Sequence, residues 1–173
     1  MKNFKDSAVA AAEVGKTAAD IPNASDVMAA ASFIRAEALL KEGAADHACA
    51  ELIHAGERLL PSADSSARSA GAMAWLDCAK MLFEKRQLEK ALSLCLKLWE
   101  SAKEDSSSEI RCHAHDGARL AGELLASLGR GAQALEIFED SLARIAVEKG
   151  HEFTDTRMPE AILSRARALL VLG

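Results

Sequence analysis

LLKEGAADHACAEL (Leu39–Leu52), LFEKRQLEKALSLC (Leu82–Cys95) and LASLGRGAQALEIF (Leu125–Phe138) are three versions of one pattern. Aligned, they place Gly43, Arg86 and Gly129 at the same position, each 43 residues from the next. A small residue stands seven positions earlier (Ala36, Ala79, Gly122) and an alanine five positions later (Ala48, Ala91, Ala134). A period of this length marks stacked supersecondary units. Such stacks usually produce a binding surface and not a chemical step.

Close packing explains the residue types. Two antiparallel helices approach each other only where at least one side chain at the crossing is small. Ala36 with Ala48, Ala79 with Ala91 and Gly122 with Ala134 are the expected crossings. Gly43 and Gly129 can adopt the left-handed conformation that ends a helix. Arg86 breaks that pattern, so its turn is expected to be built differently.

The chain has 173 residues, half of them hydrophobic, with 4% aromatic and a formal charge of −5. About a fifth is alanine, prolines number three and tyrosine is absent, which favours helix over sheet. Acidic and basic residues are interspersed without a basic stripe, so nucleic acid is not an expected partner. No apolar run approaches a membrane span, and membrane insertion is not expected. Ala8 to Ala12 is too short for a signal peptide. The four cysteines lack pairing motifs and are expected to be reduced thiols in a cytoplasmic protein.

Punctuation along the chain follows the repeat. Residues 1–22 are a lead-in or capping segment, with a short helix capped by Asp6 or Ser7 and weakened by Gly15. Residues 23–173 are the repeat domain. Within it, paired helices are expected at about 26–42 and 44–60, 66–85 and 87–103, and 109–128 and 131–149. A last helix starts near Pro159. Linkers rich in turn and cap residues separate the pairs at 61–65, 104–108 and 150–157.

This arrangement resembles the tetratricopeptide (TPR) family. The third unit matches at Gly122, Gly129, Ala134 and Phe138, the second at Ala79, Ala91 and Trp75, and the first at Ala36, Gly43, Ala48 and Ala55. Ala166 and Gly173 suggest a fourth half-unit, one residue out of step. The unit is longer than the standard TPR and falls in the HEAT-type range; longer TPR-like units occur in kinesin light chains and receptor-linked adaptors. The resemblance implies an all-α, right-handed α-solenoid of antiparallel helical hairpins, with three repeats and a terminal helix. It also implies a non-catalytic protein-interaction module whose first helices line a concave groove. Carried over by register, the groove residues are Phe33, Glu37, Leu40 and Lys41, then Met73, Leu76, Lys80, Phe83 and Glu84, then Asp116, Arg119, Glu123 and Ser127. Leu163 and Arg167 fall nearby. The expected ligand is a peptide or helix of a partner protein. Adaptors that grip chaperone C-termini place Lys and Asn where Phe33 and Glu37 stand here, so a carboxylate terminus is disfavoured. A small secretion-type TPR chaperone is the alternative.

A rival of another class centres on Cys112-His113-Ala114-His115-Asp116. Cys112 and Asp116 share a helix face, but the two histidines point elsewhere, and a metal needs three or four converging ligands. No phosphate loop, nucleophile elbow or zincin motif is present, so no catalytic residue, cofactor or metal is assigned. Trp75 and Trp99 are expected in the packing, and Cys78 and Cys95 as buried thiols on facing helices. The chain ends in ALLVLG (Ala168–Gly173), which parallels ELLASLG (Glu123–Gly129). Its apolar stripe is expected either to face inward as a cap or to be covered by a second copy or further repeats.

Overall fold

The computed structural model describes residues 24–147, 162–167 and 169. These residues are helical with short connections, and no strand occurs among them. Six helices follow in order: α1 Ala24–Lys41, α2 Ala45–Leu59, α3 Ser65–Glu84, α4 Leu88–Ala102, α5 Ser108–Ser127 and α6 Gly131–Val147. A helical stretch at 162–167 comes after them. None is long and apolar enough to cross a membrane. The lead-in at 1–22, the 150–157 linker and the start of the last helix lie outside the described residues.

Short turns join α1 to α2, α3 to α4 and α5 to α6, and all three are the same turn. Ala44 N–H donates to Leu39 O at 2.8 Å, Gln87 to Leu82 O at 2.9 Å and Arg130 to Leu125 O at 2.8 Å. One residue earlier, Gly43, Arg86 and Gly129 donate to Leu40, Phe83 and Ala126. This pair of bonds ties off the last carbonyls of a helix and requires one left-handed residue. Gly43 has φ 76°, Gly129 74° and Arg86 60°. The expectation of a different turn at Arg86 is therefore wrong. Hydrogen bonding and flanking helix packing hold an arginine in the conformation that glycine takes elsewhere.

The linkers between pairs carry a second repeated device. Arg68 Nη1 donates to Ser62 O (3.1 Å) and Ala63 O (2.9 Å), and Arg111 Nη1 to Asp105 O (2.7 Å) and Ser106 O (3.0 Å). These carbonyls sit at equivalent positions, 43 residues apart, so each arginine folds its own linker. Arg68 also grips Asp105 of the next linker through Nε at 2.8 Å and Nη2 at 3.1 Å. That guanidinium holds the Asp105 carboxyl below the usual carboxylate range. Asp64 caps α3 by accepting from Ser66 N–H at 2.9 Å. α5 has no side-chain cap at its Ser107 N-cap; Asp105 instead accepts from Ser107 N–H at 2.9 Å inside the linker, as Ser62 Oγ does from Asp64 N–H at 3.2 Å.

Each helix packs on the next, and α3 packs in addition on α1 and α5. α2 and α4 do not pack on each other, nor do α4 and α6. The small residues are where the pattern puts them: Ala48, Ala79, Ala91 and Ala134 are fully buried. At Gly122 the neighbour is larger than expected, because an added Cβ would lie 2.3 Å from the Phe138 ring. The tightest approach joins the first two pairs. Trp75 of α3 lies across α2 at Gly56, where a Cβ would sit 2.1 Å from two indole atoms. Its Nε1–H donates to Ile53 O at 3.0 Å. One period later the bulk changes sides: Trp99 replaces the glycine and Ala118 the tryptophan, both buried.

Two stability changes of opposite sign follow. Arg86→Gly removes a strained side-chain-bearing residue and raises stability by about 1 kcal/mol in urea unfolding. Gly56→Ala lowers it by about 2 kcal/mol through overpacking, and the same substitution costs less in a Trp75→Leu chain, where the indole is gone. An unchanged midpoint for both single variants would refute this packing.

Candidate functional site

The first helices α1, α3 and α5 adjoin in that order, so residues at one register form rows across them. Glu37, Lys80 and Glu123 make one row, Phe33, Leu76 and Arg119 another, and Lys41 and Glu84 fall in a third. Glu37, Lys41, Met73, Lys80 and Glu84 are exposed, and Phe33, Asp116, Arg119 and Glu123 are half-buried. Leu76 departs from the expectation. It is 3% exposed and belongs to the core, because α3 is packed by four other helices. It supports the surface from beneath and offers nothing to a ligand.

Three aliphatic side chains give this face its apolar character: Ile34 at 46% exposure, Leu40 at 42% and Met73 at 40%. Leu40 and Met73 were legible from the repeat register. Ile34 was not, because its counterparts one and two periods on are Asp77 and Leu120. The charges around them pair along their own helices. Lys41 bonds Glu37 at 2.5 Å, Lys80 bonds Asp77 at 3.4 Å and Arg119 bonds Glu123 at 2.8 Å. A ligand therefore meets charge pairs of both signs interleaved with exposed aliphatic side chains. Leu163 and Arg167, expected nearby, are both exposed.

The Cys112–Asp116 cluster disperses. His115 is buried, with Nδ1 2.8 Å from Ser141 Oγ and its ring 5.3 Å from that of Trp99. His113 lies 3.5 Å from Ser69 Oγ. Among the described residues no three His, Cys, Asp or Glu side chains converge as a metal site.

Cys49, Cys78 and Cys95 are buried free thiols on α2, α3 and α4, and Cys112 is half-buried. Cys78 Sγ–H donates to Cys49 O at 3.6 Å. Burial pushes the Cys78 thiol upward and that of Cys95 up to about 12. They behave as packed hydrophobes, not nucleophiles.

On the opposite side, the unpaired second helices leave open grooves. A hollow of about 420 Å³ between α2 and α4 is lined by Cys49, Ile53, Leu82, Leu94, Lys90 and Lys97, among others. Beyond Lys97 it continues into a hollow of about 340 Å³ beside Gly56, Pro61 and Trp75. A hollow of about 500 Å³ lies between α6 and the linker after α4, and holds Lys103, Glu104, Asp140 and Arg144, one period beyond Leu60, Pro61, Lys97 and Ser101. Sequence reasoning missed these grooves, because they follow from which helices do not touch.

Comparison with family models, with curated proteins and with solved structures finds no match. The site has to be judged on its own chemistry.

The thiols give a check on this geometry. Cys112 should react first with a thiol reagent at neutral pH, and Cys78 and Cys95 only on unfolding. An unfolded thiol loses its proton near 9.0, whereas Cys95 keeps its proton to about 12. The unfolded chain therefore binds fewer protons in that window, and stability falls as pH rises from 9 toward 12. Cys95→Ala should flatten the fall. Rapid labelling of all four thiols in the native protein would contradict this placement.

Proposed function

We propose that the chain is a non-catalytic protein-interaction module, a TPR-like right-handed solenoid of three helical hairpins closed by a further helix. Its ligand is a peptide segment or helix of a partner protein, held on the face of α1, α3 and α5. One observation carries this reading: Ile34, Leu40 and Met73 stand exposed on adjoining helices, ringed by Glu37, Lys41, Lys80 and Glu84. Large apolar side chains exposed among charged ones on one face suit a docking surface. An amphipathic helix or a half-apolar strand suits it, because the apolar centre supplies affinity and the rim supplies orientation.

The helix order supports the solenoid. The second helices α2 and α4 each pack between their own first helix and the next one, and the first helices form a continuous row. That is how a hairpin stack buries a core that no single hairpin buries alone. The identical turns and the two arginine-tied linkers repeat at the same period as the core. Ion pairs also join each unit to its neighbour: Lys85 to Asp46 at 2.9 Å, Arg130 to Glu89 at 3.7 Å and Lys97 to Glu57 at 3.0 Å. Asp46 and Glu89 are one period apart.

A photoreactive amino acid at position 40 or 73 tests the face in cell extract, with position 136 on α6 as control. Crosslinks to one protein from 40 and 73, competed by unlabelled protein and absent from 136, are expected. Lys80→Glu should weaken them by roughly tenfold, through association rate and salt dependence, with unchanged helix content. Crosslinks confined to position 136 would overturn the assignment of the face.

A further inference from the structure

We propose that the outer groove between α2 and α4 is a second docking site, for a short extended acidic peptide segment with an apolar side chain between its carboxylates. The groove is on the side of the molecule opposite to the first-helix face. Its floor is apolar, formed by Cys49 and Ile53 of α2, Leu82 of α3 and Leu94 of α4. Its walls carry charge of mostly one sign.

The acidic groups there are already engaged. Asp46 bonds Lys85 at 2.9 Å, and that ammonium holds the carboxyl below its usual range. Glu57 bonds Lys97 at 3.0 Å. Lys90 lines the groove at an exposed position and adds only a lesser attraction to Asp46, behind that of Lys85. The Lys97 ammonium lies 4.6 Å over the Trp75 ring, which positions it at the groove; with three donors it can serve a second acceptor besides Glu57. On a chain of net charge −5, this is a local excess of lysine above an apolar floor. The complementary ligand brings carboxylates and one aliphatic group.

Spacing selects the ligand's conformation. Lys90 and Lys97 are seven residues apart on α4, about 10 Å along the axis. In an extended left-handed chain of three residues per turn, side chains three apart point the same way and stand about 9 Å apart. Two carboxylates so placed reach both lysines, with the intervening side chain over Ile53 and Leu94. A hollow of about 420 Å³ suits a segment as short as this.

The test is a titration of isotopically labelled full-length protein with the capped tetrapeptide Glu-Leu-Pro-Glu, followed by amide and methyl shifts. Saturable shifts are expected at Ile53, Lys90 and Leu94, weakening several-fold as salt rises through the screening range. Gln-Leu-Pro-Gln should bind at least about tenfold more weakly, because it lacks the charges. Lys90→Glu, at an exposed position, should abolish binding while leaving other resonances in place. Lys80→Glu on the opposite face should bind the tetrapeptide as wild type does, which separates this site from the first. Absent shifts at millimolar peptide, equal binding of the amide peptide, shifts confined to the Met73 face, or full binding by Lys90→Glu would each overturn the proposal.

Discussion

Helices this rich in alanine and leucine can stack only where their backbones come close, and closeness depends on who yields volume at each crossing. Within each pair the yielding residues are Ala48, Ala79, Ala91, Ala134 and Gly122. Between the first two pairs it is Gly56, which lets the Trp75 indole lie flat across α2 and bond the Ile53 carbonyl. Between the next two pairs the large residue is on the other side, at Trp99. The interface is conserved in volume while its two halves exchange roles. Dense packing of this kind fixes rigid spacings along the stack, and the surface rows on α1, α3 and α5 inherit them.

Much of the architecture could be read before any coordinates. The 43-residue step locates all three turns, both described linkers and the small crossing residues within each pair, because these depend on local sequence and on one short-range contact each. What escaped depends on backbone geometry and side-chain partners that the repeat step does not encode. Arg86 looks like a break in the pattern, yet hydrogen bonds to Leu82 and Phe83 hold it left-handed. Gly56 looks like an ordinary weak point inside a helix until Trp75 is placed against it. Arg68 and Arg111 are two surface arginines among many until their shared carbonyl partners are seen. Leu76 has the register of a surface residue, but α3 is enclosed on more sides than α1 or α5.

The functional residues divide in the same way. Glu37, Lys41, Met73, Lys80 and Glu84 are exposed where the repeat register puts them, because first helices in a row present equivalent positions together. Ile34 departs from that register, and the outer grooves have no sequence signature at all. They exist because α2 and α4 do not pack together, while Leu82 of α3 closes the gap from below. The two faces therefore differ in kind. The first is apolar with balanced charge pairs suited to an amphipathic ligand, and the second is a narrow lysine-walled slot.

The central claim is that the first helices of the three units lie side by side, one step apart, so that equivalent positions form a single surface. Nitroxide labels at Glu37→Cys, Lys80→Cys and Glu123→Cys, introduced two at a time in a Cys112→Ser chain, measure this directly. Adjacent helices pack about 10 Å apart, so the 37–80 and 80–123 pairs should give matching short separations and the 37–123 pair about twice that, in a narrow distribution. Clearly unequal adjacent separations, or an outer pair beyond about 35 Å or broadly spread, would contradict the account.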